Sequence, residues 1–404
     1  MKVLICGASV AGPALAYWLR SYGFTPTVVE QAPSLREGGY KVDLRGAAME
    51  VAKRMGLLPA VRAASTRIRG GSWVNASGKP LASLGPDLIG MRAPGDDEVM
   101  RGDLARLLYE ATKGEVEYLF GDSITSLTET RDGLTVGFQH AASRPFDLVI
   151  GADGLHSTVR GLAFGAEQRF VRPLGMHACV FTVPNTLGLD HWELLYPTPG
   201  RVVNLYSTHP DLAKAQFVFP TPATPPDRFD RAGQQRAVAD SFAGIGWETA
   251  NLLRAMPASP DFYFTSISQV RLDQWWTGRV ALVGDAAYSP SPLSGQGTSL
   301  ALVGAYVLAG ELKAAAGDHR IAYSRYQQAM REYVETNLTL GANNAGQMVA
   351  GSARQIRLQT TMMRLVSHLP WKDLAMRPII KPLNHAANAI TLKTYEESPD
   401  GVAA

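Results

Sequence analysis

Residues Lys2 to Tyr22 commit this chain to one kind of beginning. The apolar run Lys2-Val3-Leu4-Ile5-Cys6 leads into Gly7-Ala8-Ser9-Val10-Ala11-Gly12, and Pro13 to Tyr22 follows with Ala14, Leu15, Trp18 and Leu19 on one helical face. A short apolar run suits a buried parallel strand, so strand, glycine turn and helix come in the order that a dinucleotide fingerprint requires. Gly7 makes the tight turn, the middle position lets the backbone approach a pyrophosphate, and Gly12 lets helix pack closely on strand. Ser9 holds the middle position, where glycine is usual, and is small enough to allow the approach. Val28-Val29-Glu30 ends a second strand about 20 residues on, where an acid accepts from a ribose hydroxyl and favours an unphosphorylated ribose, as in FAD or NAD. Taken alone, the segment also fits a glycine-rich turn in any α/β protein.

Two later segments narrow the reading. Arg279-Val280-Ala281-Leu282-Val283 is a further buried-strand run ending at Gly284-Asp285, followed by Ala286 to Gly297 and an apolar helix from about Thr298 to Leu312. Such a helix aims its first N–H groups, and the positive end of its dipole, at whatever lies under Gly295-Gln296-Gly297-Thr298. A reduced flavin ring carries negative charge that suits this place. Asp147 to Ile150 is another apolar strand, and it runs into Gly151-Ala152-Asp153-Gly154 and a polar helix start at Ser157 to Arg160.

With the three segments in this order, the chain resembles the class A FAD-dependent monooxygenases, the family of para-hydroxybenzoate hydroxylase, over roughly the first 315 residues. The resemblance matches Asp153 and Asp285 to the named acids of the Asp-Gly and Gly-Asp motifs, and Arg101 to an arginine that starts a helix beside the flavin. Within the family it is most similar to tetracycline-inactivating and polyketide-tailoring hydroxylases, through Gly38-Gly39-Tyr40-Lys41-Val42-Asp43-Leu44. That likeness implies Asp43 as a flavin contact and Arg36 as an NADPH contact. It departs at Tyr288, where many members have His, and at Ser299, where many have Asn. The implied cofactor set is Gly7, Ser9, Ala11, Gly12, Glu30, Arg36, Asp43, Arg101, Asp153, Asp285, Pro292, Gly295, Gln296, Gly297 and Thr298.

The resemblance implies an α/β fold: a Rossmann-like FAD-binding domain (GR2-type), an inserted β-sheet substrate domain and C-terminal helices. The expected FAD-binding pieces are 1–71, 99–162 and 273–317, the substrate domain 72–98 and 163–272, and the helical region 318–404. Asn75-Ala76-Ser77-Gly78-Lys79 signals a hairpin within Gly70 to Ile89. Gly175 to Val183, Trp192 to Tyr196, Arg201 to Ser207 and Ala215 to Phe219 read as strands. The proline-rich stretch Pro220 to Asp227 is a loop, and Arg228 to Met256 is mainly helical. Ala322 to Leu340 and Trp371 to Thr394 read as helices, and Ser398 to Ala404 as a frayed end.

Composition excludes several classes. Hydrophobic residues are 46% and charged residues 19%, ordinary for a globular enzyme, and the net charge of +3 has no Lys/Arg block that would mark a nucleic-acid footprint. Cys6 and Cys179 are too few for a disulfide framework, a Cys-based zinc site or a disulfide reductase. Met1 leads directly into the first strand and no run reaches membrane-spanning length, so the expectation is a cytoplasmic protein, monomer or homodimer, with no membrane or nucleic-acid partner.

The expected reaction follows from the cofactor's chemistry. NADPH or NADH reduces non-covalently held FAD, O2 adds at C4a, and the hydroperoxide inserts one oxygen atom into a polycyclic phenol or enol. Hydroxylation and Baeyer-Villiger oxidation both remain open. His177, Trp192, Tyr206, Phe217 and Pro290 are the candidate substrate contacts, although aromatic residues on strands more often form core. No catalytic base and no metal ligand is assigned. The alternatives are an FAD-dependent oxidoreductase that inserts no oxygen, and a non-catalytic dinucleotide-binding sensor.

Overall fold

The computed structural model describes residues 1–36, 38–346, 349–367, 369 and 372–395. Its first sheet runs 276–277, 280–282, 148–151, 2–6, 25–30, 117–120, with every neighbouring pair parallel except the edge hairpin Trp276–Thr277 with Val280–Leu282. Strands this apolar must be covered on both faces, and Val3, Leu4, Ile5, Leu148, Val149 and Ile150 are fully buried. The helix Ala11–Ser21 packs on the long helix Gly297–Ala314, with the Trp18 and Tyr306 rings 4.9 Å apart. Because Cys6 lies level with Gly151 and Val29, and Gly151 with Leu282, the three glycine segments leave the sheet along one edge. That edge, beyond the carboxyl ends of parallel strands, is where open α/β sheets bind ligands. The antiparallel strands Ile124–Glu129, Leu134–Phe138 and Arg144–Phe146 form a separate small sheet.

The second large sheet runs 263–270, 171–184, 212–220, 201–206, 192–198, 70–74, 80–84. Gly70–Val74 and Pro80–Leu84 form the expected hairpin, held at its turn by Asn75 Oδ1, which accepts from the N–H groups of Ser77 (3.0 Å) and Lys79 (2.9 Å). One face of this sheet packs on the helices Arg231–Ser241 and Thr249–Ala255 through Phe181, Leu205, Phe217, Phe219 and Phe242. The opposite face turns toward the first sheet, and the ribbon Lys41–Leu44 with Asp97–Met100 lies between the two.

Three helices follow: His319–Ala345, Ala353–Ser367 and Lys372–Ala387. The first is longer than the periodicity implies because Asp318 caps it, accepting from Arg320 N–H at 3.0 Å. The last ends at Ala387, short of the expected Thr394, and residues 388–395 continue without helix across Gly297–Ala314. Trp371 and the Ser398 to Ala404 end lie outside the described residues.

Candidate active site

The fingerprint turn is built around two absent side chains. Gly7 has φ of +108°, and a Cβ there would meet the Ala152 carbonyl oxygen at 2.5 Å. A Cβ on Gly12 would stand 1.9 Å from the Gly7 carbonyl oxygen. Glu30 stands at the end of its strand, where Ala8 N–H donates to one carboxylate oxygen and Ala32 N–H to the other, both at 2.9 Å. Each oxygen keeps a lone pair for a further donor. Arg36, 62% exposed, lies 3.7 Å from the same carboxylate at the outer edge of the groove. Ala11 opens the first helix and is buried against Gly284, where an added Cβ would stand 3.2 Å from that of Ala11.

Asp153 works locally. Ser157 Oγ donates to it at 2.5 Å and Val159 N–H at 3.1 Å, so the carboxylate shapes the turn into the helix Thr158–Phe164. Burial pushes its pKa above the ordinary carboxylate value. Arg160, fully buried, donates to the carbonyls of Leu155 (2.6 Å) and Ala286 (2.9 Å). It thereby ties the Asp-Gly turn to the Gly-Asp turn, a role no local spacing announces.

Arg101 gathers the remaining pieces. It opens the helix Arg101–Glu110, donates to Ser9 Oγ at 2.8 Å, and stands 5.9 Å over the Tyr40 ring, which lies 5.7 Å from that of Tyr263. Ser9, the departure from the glycine pattern, therefore supplies an acceptor that glycine lacks. Asp285 is exposed while Gly284, Ala286, Ala287 and Tyr288 around it are buried. The protein around it raises its pKa, and Arg101 opposes that rise.

At the far end of the crevice, Gly295 is left-handed (φ +64°) and Gly297 opens the long apolar helix. Cβ atoms added there would lie 3.9 Å from Asp43 Oδ2 and 3.7 Å from Asp285 Oδ1, so these two acids and the helix start share one wall. Thr298 is part-exposed in the first turn and Pro292 is exposed in the short turn before it. Gln296 is fully buried with neither amide atom partnered, and Asp43 Oδ1 is likewise buried without a hydrogen bond. Orphaned buried polar atoms beside a helix N-terminus fit a polar ring that brings its own donors and acceptors.

A web of charges borders that end. Lys41 Nζ pairs with Glu193 (2.7 Å) and Glu98 (3.3 Å), Arg92 with Glu98 (3.0 Å) and Asp43 (3.6 Å), and Arg45 with Asp43 (2.9 Å). Burial alone would depress the Lys41 ammonium, but Glu193 and Glu98 hold it charged and raise it above its usual value. Burial raises Asp43 against the pull of Arg45. Sequence reasoning missed Lys41, Arg45, Arg92, Glu98 and Glu193, and no signal in their spacing marks a web whose members are up to 152 residues apart.

The strand registers decide which residues of the second sheet face the crevice. Leu195, Asn204, Gln216, Val180 and Tyr263 lie level across five strands, as do Glu193, Tyr206, Lys214 and Thr182 across four. Because Tyr263 meets Tyr40 and Glu193 meets Lys41, this is the face turned to the first sheet. Asn204 Oδ1 on it is buried without a partner.

Phe217 falls on the opposite face and is fully buried, 4.8 Å from the Phe242 ring, so it belongs to the core under the helices and not to the crevice. His177 shares that face, between Phe264 (5.1 Å) and Phe219 (6.2 Å), with Nδ1 3.2 Å from Thr221 Oγ1, and burial lowers its pKa. Trp192 also lies there, covering Gly70 and donating to Ser72 Oγ at 3.2 Å. Tyr206 has the right face but is fully buried, its hydroxyl accepting from Lys41 N–H at 3.2 Å. Pro290 is buried behind the turn, its carbonyl accepting from Gln269 Nε2 at 3.2 Å. His177, Trp192 and Phe217 thus lie on the face away from the first sheet and Tyr206 and Pro290 are buried, while Asn204, Gln216 and Tyr263 lie on the face turned to the first sheet.

Comparison with known proteins agrees with this geometry. A family model described as an FAD binding domain matches residues 1–335. A flavin-dependent monooxygenase of Legionella longbeachae is 42% identical over 399 residues, covering 98% of this chain and 99% of that protein. An uncharacterized protein of Mycobacterium tuberculosis is 47% identical over 346 residues, 85% of this chain and 93% of its own. Among solved structures, tetracycline destructase Tet(55) superposes with a TM-score of 0.83 at 39% identity, covering 98% of both chains, and tetracycline destructase Tet(51) with 0.85 at 35%, covering 98% and 99%. Motifs, crevice and relatives agree, and the chain belongs to the class A FAD-dependent monooxygenases.

Proposed function

We propose that this enzyme uses NADPH or NADH, together with O2, to insert one oxygen atom into a polycyclic phenol or enol held between the flavin and the second sheet. The observation that carries the reading is the uncharged row of Asn204, Gln216 and Tyr263 on the face of that sheet turned to the first sheet, where Asn204 Oδ1 is buried without a partner. The bordering cations Lys41, Arg45 and Arg92 are each paired with carboxylates, which suits a neutral or delocalised substrate better than a small carboxylic acid. The relatives that are tetracycline destructases support a polycyclic substrate.

FAD, when bound, supplies the electron and oxygen chemistry. Gly7, Ser9, Ala11 and Gly12 would carry its pyrophosphate and Glu30 its adenosine ribose. Asp285 and Arg101 would hold the linking chain, with Asp153 shaping the adjoining turn. Asp43 and the turn Pro292, Gly295, Gln296, Gly297 and Thr298 would frame the ring. Arg36, at the exposed edge, is the cation assigned to a phosphate of the nicotinamide co-substrate. The chain's own tasks are to orient the substrate carbon toward the ring and to exclude water. Asn204 Oδ1 would accept from a substrate hydroxyl, and Tyr40 and Tyr263 would close the crevice beside it. The discontinuous assignment of 1–71, 99–162 and 273–317 to the flavin lobe belongs to the same proposal.

A panel of polycyclic phenols and simple benzoates, scored by NADPH consumption, tests the substrate class. Polycyclic compounds should stimulate it most. A monocyclic acid as the best stimulant would overturn the assignment.

A further inference from the structure

Helix Ala353–Ser367 shows apolar residues on two sides. Met363 and Val366 join the small core of Leu84, Leu88 and Met376, which is how the helix rests on the hairpin end of the second sheet. On the outer side Leu358, Met362 and Leu365 are 63%, 55% and 61% exposed. Spaced four and three residues apart, they form one stripe along the helix. Exposed apolar residues scattered singly need no explanation, but a stripe of three does. Arg354 continues the stripe one turn toward the N-terminus, Arg357 and Arg364 run along one flank, and all three are exposed.

The charge around this helix is lopsided. Residues 1–335 have as many Lys and Arg as Asp and Glu, so the chain's net +3 comes from residues 336–404, where Arg354, Arg357, Arg364, Lys372, Arg377, Lys381 and Lys393 stand against Asp373, Glu396, Glu397 and Asp400. Lys393 is paired with the buried Glu311, whereas Arg354, Arg357 and Arg364 lie exposed along the apolar stripe. On the next helix Arg377 and Lys381 are exposed as well.

We propose that this stripe and its arginine flank dock on an anionic phospholipid surface, with Leu358, Met362 and Leu365 entering the headgroup boundary and the arginines meeting lipid phosphates. An apolar face flanked by cations is the pattern of a helix that lies in the plane of a membrane interface. No described helix is long and apolar enough to cross a membrane. Interfacial docking needs no such length. The inner side of the helix rests on the strand that places Trp73 level with Leu195 on the crevice face of the sheet, so the docked bilayer would lie beside that sheet's crevice side. Only that consequence, delivery of a lipophilic substrate, rests on the function proposed above.

The test is co-sedimentation of the full-length, flavin-loaded protein with phosphatidylcholine vesicles, with and without phosphatidylglycerol, in the absence of substrate. The wild type should pellet with the anionic vesicles and much less with the neutral ones. Added salt, the triple change L358S/M362S/L365S, or the pair R354E/R357E should each weaken binding about tenfold or more, with the flavin absorbance unaltered. Equal recovery on both vesicle types, or wild-type binding by the stripe variant, would overturn the proposal. So would a concentration-dependent dimer that the stripe variant abolishes, since the stripe would then serve a second copy of the chain. The readout needs no turnover, so it is independent of whether the substrate class is right.

Discussion

At Gly12 one added methyl group would stand 1.9 Å from the Gly7 carbonyl oxygen, a backbone atom that cannot swing aside. Gly12→Ala should therefore cost about 1 to 3 kcal/mol of stability, as overpacking does, and lose flavin along with it. Asp285 is different, because its exposed carboxylate supports nothing but a neighbouring serine and the field of Arg101. Asp285→Ala should keep the melting temperature of the ligand-free protein while weakening FAD by about one to two decades, the worth of roughly 1.5 to 3 kcal/mol for a lost hydrogen bond to a charged group. Calorimetry beside flavin titration separates the two cases, and wild-type flavin affinity in Asp285→Ala would remove that residue from the site. Asp261 gives a prediction in pH. Lys214 Nζ and Thr182 Oγ1 donate to it, and its pKa is held down at about 2 from an ordinary 3.8, with burial opposing the hydrogen bonds. A depressed carboxylate contributes stability above its unfolded value and loses it as pH falls toward the folded one. The melting-temperature gap between wild type and Asp261→Asn should thus be full at neutral pH and shrink as the pH falls below about 4. A gap that grows on acidification would contradict the pairing.

Single elements show where sequence patterns stop being informative. A period of two says that alternate residues of a strand share a face, but not which face meets the crevice. Phe217 and His177 follow the pattern and lie on the wrong side, where Phe181, Phe242 and Phe264 receive them. That choice depends on which helices cover the sheet, and nothing within the strand fixes it. The strap formed by residues 388–395 was invisible for a related reason: it has no period. Lys393 Nζ (2.6 Å) and Tyr395 Oη (2.8 Å) donate to the buried Glu311, and Gly310 leaves room for the Tyr395 ring. Removing residues after Asn388 would leave that carboxylate buried without those donors, at about 1 to 3 kcal/mol or more. For a chain of this size the melting temperature should fall by roughly 1 to 4 °C. An unchanged melting temperature would show that the strap is not needed.

Across the whole molecule, the glycine turns at the strand ends were legible and the facing of the second sheet was not. Gly7, Gly12, Glu30, Asp153 and Gly284-Asp285 are constrained by backbone geometry near strand ends, so short motifs record them. Registers bring those strand ends to one edge. The crevice face depends on Lys41, Glu98 and Glu193 meeting across three distant segments, and on Asn204, Gln216 and Tyr263 lining up through pairings that no single segment encodes. Whether that face presents a substrate to a flavin that transfers oxygen is the central claim, and turnover under isotopically labelled O2 tests it most directly. With NADPH and a polycyclic phenol that stimulates its oxidation, the product should gain one oxygen atom, and that atom should carry the label. A product whose added oxygen comes from water, or NADPH consumed with no oxygenated product from any stimulating compound, would contradict the account.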